Sequence, residues 1–496
     1  MNTPKRLSES GLWNALRNFY EEKGVDAWAS DDLPFFATNN PALARTYSDL
    51  FASFIDDCLF HHQLDLEQPL YIAELGGGMG RLAYLMLVRL QEMSPRLPLR
   101  VKYLLTDYVQ GNVDFYNQHP RFAPFFENGM LETRQYDAEN DTLDLPTGNP
   151  VFCIANYLFD SLSQDGFKVE DGELSEVLCH RDDDEKLVFT TRPLSGPAYG
   201  VQEYDSVLQA YSQELGNTHF PFPVGPLKCL SKLGESSGNR FILAMSDKAL
   251  RTTEDLHDFK QLPTQKHNEG FSMSVNCDAL DRIWENLGGR VVHSAPRAVP
   301  LHIALYQRGF SDTPLGRMEQ VFRDQVDGFG PLDYLDLRAQ SSDVSVQNPL
   351  KFYLNLLRLS RWDPEFFYEL SNTIGEAALS ASMDEQRELY EVMTRCWGNY
   401  FPIPDERDVP FAVARVLACI NQFQQAVGFY GESVRLYGDR ALTHHNIGIC
   451  QFNLSLLEEA EQSFQRALEI EPDYGPSKEL LVRTRAEQKR RGALSV

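Results

Sequence analysis

Over residues 1–312 the chain alternates short apolar runs with stretches whose apolar residues recur every three to four positions, the pattern of strands interleaved with helices. The segment MNTPKRLSESGLWNALRNFYEEKG predicts an amphipathic helix with Leu12, Leu16 and Phe19 on one side. Helix is expected over 41–59, where Thr38, Asn39 and Asn40 supply capping side chains and Pro41 suits the first turn. Strands are expected over 70–75, 99–106, 130–136, 150–155 and 241–245, the fourth a continuous apolar run of the kind a buried parallel strand needs. A last pair of strands, 289–293 and 301–307, is separated by the short connection SAPRAVP. Between them, residues 204–234 read as helix followed by the Pro-rich FPFPVGPLK, an expected insertion (about 204–236) over the active edge of the sheet.

Beyond residue 311 the strand signals stop, and 315–400 read as amphipathic helices. The last stretch contains a 34-residue internal period. In the copy 441–474, Ile447 and Gly448 fall where two helices pack closely, Ala460, Phe464 and Ala467 share one helix face, and Pro472 ends the helix. One period earlier, Ala426 and Tyr430 take the places of Ala460 and Phe464. This resembles the tetratricopeptide repeat, whose stacked helix pairs build a concave surface for a peptide or protein partner. A plain helical cap or dimerisation element is the alternative. The expected organisation is an α/β domain over 1–312, a helical linker domain over 313–404 and TPR-like repeats over 405–496.

Composition narrows the setting. Hydrophobic residues at 43% and charged residues at 24% are ordinary for a globular chain. No apolar run is long enough to span a bilayer, and the first residues lack the apolar core of a secretory signal. The eight cysteines are scattered, without a CxxC pair, and no histidine cluster has metal-ligand spacing. The expectation is a cytoplasmic protein with reduced thiols, no metal and no membrane partner, which leaves the acceptor sequence Asn453-Leu454-Ser455 unglycosylated. Acidic residues outnumber basic ones 71 to 46, a net charge of -25, which argues against a nucleic-acid backbone as partner. That charge serves solubility or steers a cationic substrate.

The candidate chemistry begins at YIAELGGGMGRLAYLMLVRL, which reads as a strand, an acid, four glycines in five positions and an apolar helix. Glycine is needed where a strand turns sharply into a helix beside a bound nucleoside. A dinucleotide fold wants a third glycine or alanine three positions beyond Gly78, for close helix packing. Arg81 stands there instead. The spacing E-x-G-x-G-x-G resembles motif I of the Rossmann-like, class I methyltransferases, whose cofactor is S-adenosyl-L-methionine. The resemblance implies that Gly76, Gly78 and Gly80 form the cofactor turn and that Glu74 holds the methionine ammonium. It also implies that Asp107 takes the ribose hydroxyls and Asp137 the adenine amino group. A capping or surface acid is the plainer reading of each. The strand pair at 289–307 resembles the antiparallel hairpin that closes the seven-stranded methyltransferase sheet.

The fourth strand runs NPVFCIANYLFDSLSQD, which resembles the ANEFFDALP signature of the MidA-like family, a complex I assembly-factor type whose mitochondrial member methylates an arginine. FFATNNPALARTYSDLF and HNEGFSMSVNCDALDRIWENLGG resemble further segments of that family, so the similarity spans 28–309. It implies functional roles for Asn156 (cofactor and acceptor) and Asp160, and places Thr38, His267, Ser274 and Asn276 at less specific family positions. Tyr157, Ser163 and Ser272 stand where the family has glutamate, proline and aspartate, so two acids are missing from the acceptor half. A guanidinium acceptor calls for carboxylates that orient it and offset its charge. Asp160 and, just after the fifth strand, Asp247 are the candidates, with His267 as a candidate base. The plainer readings are a turn cap for Asp160, a surface acid for Asp247 and a structural role for His267. The expected function is therefore methyl transfer from S-adenosylmethionine to a protein or peptide nitrogen, arginine favoured, with the repeats binding the polypeptide or a partner protein. A small-molecule O- or N-methyltransferase and a non-catalytic cofactor-binding assembly factor are the alternatives.

Overall fold

The computed structural model describes residues 3–28, 37–146, 148–181, 187–267, 270–297, 301–310, 313–341, 349–405 and 407–494. They fall into two compact units, Met1–Asp333 and Tyr334–Val496.

The first unit is framed by seven strands: β1 Leu70–Leu75, β2 Val101–Asp107, β3 Leu131–Gln135, β4 Val151–Asn156, β5 Phe241–Leu250, β6 Arg290–His293 and β7 Leu301–Arg308. Their order is β3-β2-β1-β4-β5-β7-β6. Strands β1 to β5 pair in parallel, and β7 runs antiparallel to both of its neighbours. An eighth strand of two residues, Val275–Asn276, continues alongside the end of β5. This is an α/β sheet, as the hydrophobic pattern implies, with the closing antiparallel hairpin that the methyltransferase resemblance implies. β1 up to Ala73 and β4 up to Ala155 are continuous apolar runs because helices cover both faces of a parallel sheet. Strand order reverses between β1 and β4, and open α/β sheets bind ligands in the crevice at the carboxyl ends beside such a reversal.

Four helices matter to that crevice: α1 Leu12–Lys23, α2 Pro41–Phe60, α3 Arg81–Met93 and α4 Gln110–Gln118. The Asn40 carboxamide oxygen caps α2 by accepting the Leu43 N–H at 2.9 Å, with Pro41 in the first turn. α3 starts at Gly80, whose φ of 80° is the left-handed conformation that favours glycine.

The segment between β4 and β5 differs from the expected helical, Pro-rich insertion at 204–236. It contains strands Asp165–Glu170, Glu173–Arg181, Leu187–Pro193 and Thr218–Phe222 as well as helices Gln202–Glu214 and Val224–Ser237. With Lys5–Arg6 these strands form a second, five-stranded sheet. The physical reason is alternation: Phe167 and Val169 are buried while Lys168 and Glu170 face outward. The FPF run is part of this sheet's edge strand, where proline is tolerated; Phe220 and Phe222 are buried and Pro221 stands opposite Gly166. Helix α1 packs Leu12, Trp13 and Leu16 against Val177, Cys179 and Met273, so the insertion carries the amino-terminal helix. The unit also runs past residue 312, because helix Gly316–Phe322 donates the Arg317 and Met318 N–H groups to Asp57 of α2 at 3.2 and 2.9 Å.

The second unit is helical: Pro349–Leu359, Pro364–Ala378 and Met383–Asn399 precede the pairs Val409–Cys419 with Phe423–Tyr437 and Ala441–Asn453 with Leu457–Ile470, then Gly475–Leu494. Ala426, Ala460, Phe464 and Ala467 are fully buried, and Tyr430 is nearly so. A Cβ on Gly448 would lie 2.6 Å from the Phe464 ring, which is why the close helix crossing needs glycine. Among the described residues no helix is long and apolar enough to cross a membrane.

Candidate methyl-transfer site

One cavity lies at the carboxyl ends of β1 to β5. Its floor is the glycine turn. Gly76 and Gly78 have φ of 68° and 58°, conformations that cost a residue with a Cβ roughly 1–2 kcal/mol. The turn is held from below: the Gly77 N–H donates to the Thr106 carbonyl at 2.8 Å, and the Thr106 hydroxyl donates to the Glu74 carbonyl at 2.8 Å.

Two acids flank the turn. Glu74 is buried and accepts the Tyr103 hydroxyl at 2.7 Å. Burial pushes its carboxyl up to about 8, opposed by the Tyr103 hydrogen bond and reinforced by the charge of Asp107. A buried acid at the edge of the cavity suits a cationic ligand group, whose charge would favour its ionised form. Asp107 ends β2 and binds the loop itself. It accepts the Gly78 N–H at 2.8 Å, the Val109 N–H at 2.9 Å, the Asn112 amide at 3.1 Å and a longer 3.3 Å contact from the Tyr116 hydroxyl. Burial raises its pKa, and those bonds pull it back down. A carboxylate has about four acceptor sites, so Asp107 is heavily committed to the shape of the turn.

Asn156, at the end of β4, brings a different signal. Its carboxamide oxygen accepts the Tyr47 hydroxyl at 2.8 Å. Its buried Nδ2 has no hydrogen-bond partner among the described residues. A buried donor without an acceptor is costly, and this one belongs to a residue on the cavity wall. The next residue, Tyr157, has φ 46°, a strained conformation for a residue with a Cβ.

Asp160 is buried in the same wall and accepts the Ser161 hydroxyl at 3.0 Å. Burial holds its carboxyl above the usual range, against the pull of Lys248 and the hydroxyls of Ser161 and Ser272. Asp247 does not join it. Fully buried behind the wall, it accepts the Phe159, Asp160 and Lys248 N–H groups at 2.8, 3.2 and 2.8 Å. The expectation of an acceptor clamp at Asp247 is therefore replaced by a residue that shapes the turn carrying Asp160. Desolvation and the charge of Asp160 raise its pKa well above the usual carboxylate value.

The expected site residues thus divide. Thr38, Glu74, Gly76, Gly78, Asp107, Asp137, Asn156 and Asp160 line one cavity. Gly80 caps α3 just beneath it. His267 ends a short strand, and its side chain lies outside the described residues. Asn276 caps helix Cys277–Asn286 by accepting the Ala279 N–H at 3.0 Å. Asp137 carries a cation of this chain, with Arg17 of α1 at 3.2 Å and reaching Glu139 at 3.1 Å.

Arg17 and Tyr20 were not expected at the site. They reach the cavity from α1, which the insertion sheet holds in place, and an amphipathic helix far away in sequence gives no sign of its docking partner. Lys248 was also missed. Its adjacency to Asp247 after a buried strand was the only signal available.

The residues fit S-adenosylmethionine. The bare glycine turn, a buried acid for its ammonium and the unpartnered Asn156 amide supply the kinds of group that molecule needs. Among the described residues no group of His, Cys, Asp or Glu could hold a metal ion.

Comparison with known proteins agrees. Residues 58–220 match the family described as "Putative S-adenosyl-L-methionine-dependent methyltransferase", and residues 441–474 match the tetratricopeptide repeat. No curated protein sequence matches. Among solved structures, one similar chain is a Burkholderia thailandensis protein bound to S-adenosyl-homocysteine: 12% identity, 55% of this chain and 78% of that chain covered, TM-score 0.42. The plantazolicin methyltransferase BpumL in complex with SAH is similar at 10% identity, covering 60% of this chain and 99% of that one, TM-score 0.28. The first TPR domain of the human RPAP3 protein is similar at 18% identity, 26% and 98% covered, TM-score 0.22. The matched segment, residues 58–220, spans the glycine turn, both flanking acids and the wall from Asn156 to Asp160, and over it this chain is similar to the S-adenosyl-L-methionine-dependent methyltransferase family, with a match to the tetratricopeptide repeat following in the second unit.

Proposed function

We propose that this chain N-methylates a protein or peptide side chain, with the repeat region binding the polypeptide or a partner protein. The observation that carries the reading is a single cavity that joins the glycine turn and its acids to Asn156 and Asp160 on the neighbouring strand. Bound in that cavity, S-adenosylmethionine supplies an electrophilic methyl group on a sulfonium centre. The chain's own work is alignment and desolvation. Glu74 offers a carboxylate to the ammonium end, and Asp107 keeps the turn in shape while lying beside the ribose position. Asp137, whose oxygens also accept the Glu139 N–H at 2.9 Å and the Asn140 amide at 2.8 Å, keeps acceptor capacity for adenine once Arg17 gives way. Asn156 directs its amide into the junction between cofactor and acceptor, and Asp160 faces the acceptor nitrogen. A net charge of -25 favours encounter with cationic polypeptides. Arginine is the acceptor that the sequence resemblance implies, and it is the first to offer.

The test is incubation of the full chain with methyl-labelled S-adenosylmethionine and arginine- or lysine-containing peptides. Label on peptide nitrogen is expected. Label confined to a small molecule would sink the polypeptide reading, and failure to bind the cofactor would sink the whole.

A further inference from the structure

Lys248 stands at the β4–β5 end of the cavity and has no part in the scheme above. It follows Asp247 near the end of β5 and lines the cavity. Its Nζ lies 5.8 Å from the centroid of the Tyr157 ring. Tyr157 and Asp160 from the turn after β4 act on it directly, Asp247 precedes it on β5, and Tyr20 from α1, Ser161 and Ser272 line the same cavity. Lys248 is the foremost influence favouring an ionised Asp160, and Asp247 is spent on backbone N–H groups. The acceptor end therefore offers one carboxylate, one ammonium and an aromatic wall, where a guanidinium would want two carboxylates.

We infer that Lys248 is a specificity-determining residue that suits this end of the cavity to a primary amine, a lysine side chain or a polypeptide amino terminus, rather than to a guanidinium. The inference rests on reading the cavity as a methyl-transfer site for polypeptides. A primary amine is protonated at neutral pH and has no lone pair to give. A neighbouring ammonium favours its neutral form, and Asp160 is placed to take the proton. The nitrogen lone pair then forms the N–CH3 bond while the C–S bond breaks with its electron pair passing to sulfur, and the positive charge moves from sulfur to nitrogen. A guanidinium keeps its proton beside a single cation and is repelled by it. Its forked donors want a paired carboxylate partner, which here is already opposed by Lys248.

The test uses the full chain, methyl-labelled S-adenosylmethionine and four peptides. Three are acetylated and differ only in a central lysine, arginine or alanine; the fourth is the alanine peptide with a free amino terminus. Label on the lysine or free-amine peptide is expected, at least tenfold above arginine. Lys248→Met is expected to move the pH–rate curve upward by about one unit, roughly a tenfold loss at neutral pH that recovers in alkaline buffer. Lys248→Arg is expected to retain the wild-type profile, and cofactor affinity reports that each variant is folded. Arginine labelled as well as the amines, or an unmoved profile in Lys248→Met, overturns the inference. Label on none of the four peptides with cofactor still bound overturns the polypeptide reading, and the inference with it.

Discussion

Replacing Asp107 with asparagine tests whether this residue shapes the turn or only touches a ligand. The two side chains have the same outline, but one carboxylate oxygen becomes an NH2 donor. Each oxygen of Asp107 accepts a backbone N–H, from Gly78 on one side and Val109 on the other. Whichever way the amide is turned, one buried N–H then faces another donor. That leaves an unsatisfied group worth about 1–3 kcal/mol, and the surviving bonds lose their charge assistance. The expected cost is about 2–4 kcal/mol. Unit one spans residues 1–333, and at ~2.1 cal/mol/K of unfolding entropy per residue the expected fall in its midpoint is about 3–6 °C. The assay is thermal unfolding of the chain without cofactor, followed by near-ultraviolet circular dichroism so that the two units are resolved. Weakened S-adenosylmethionine binding should accompany the loss. If Asp107 were only a ribose ligand, the cofactor-free midpoint would stay unchanged and affinity alone would fall; that outcome refutes the clamp.

Other expectations follow from the same geometry. Glu74 is held protonated up to about 8 in the folded chain, so the fold binds a proton that the unfolded chain has released. Its contribution to stability is full below the ordinary glutamate value and is lost as pH rises towards 8. Glu74→Gln should therefore gain stability relative to wild type over that window, and cofactor binding should release a proton, visible as a buffer-dependent heat in calorimetry. His302 shows the opposite sign. Burial, Arg251 and His293 hold its pKa well below 6.5, so its contribution is present above the ordinary histidine value and is lost as pH falls below it; a midpoint that does not drop between pH 7 and 5.5 relative to His302→Gln would contradict this. Gly448→Ala should destabilise the second unit by roughly 1–3 kcal/mol, because the new Cβ meets the buried Phe464 ring at 2.6 Å; urea unfolding of that unit checks it.

The sheet was legible in the sequence because its parallel strands are buried on both faces, which forces continuous apolar runs such as VFCIA before Asn156. The glycine turn was legible because the left-handed backbone at Gly76 and Gly78 favours glycine. The insertion sheet was not, since its strands are short and outward charges such as Lys168 and Glu170 mask the alternation. The roof of the cavity was hidden for a different reason. Arg17 and Tyr20 arrive through packing of α1 on strands more than a hundred residues later, and no local pattern encodes such a contact. Asp247 looked like an acceptor acid from its place just after the apolar run 241–245; it lies within β5. Only the three-dimensional course of the Phe159–Asp160 turn shows that its carboxylate is already engaged.

The most direct test of the account is calorimetric titration of the wild-type chain with S-adenosylmethionine, run beside NAD. Saturable one-to-one binding of S-adenosylmethionine with no binding of NAD is the expected result. Absence of binding, or preference for the dinucleotide, would contradict the reading of the glycine turn between Glu74 and Asp107 on which everything else depends.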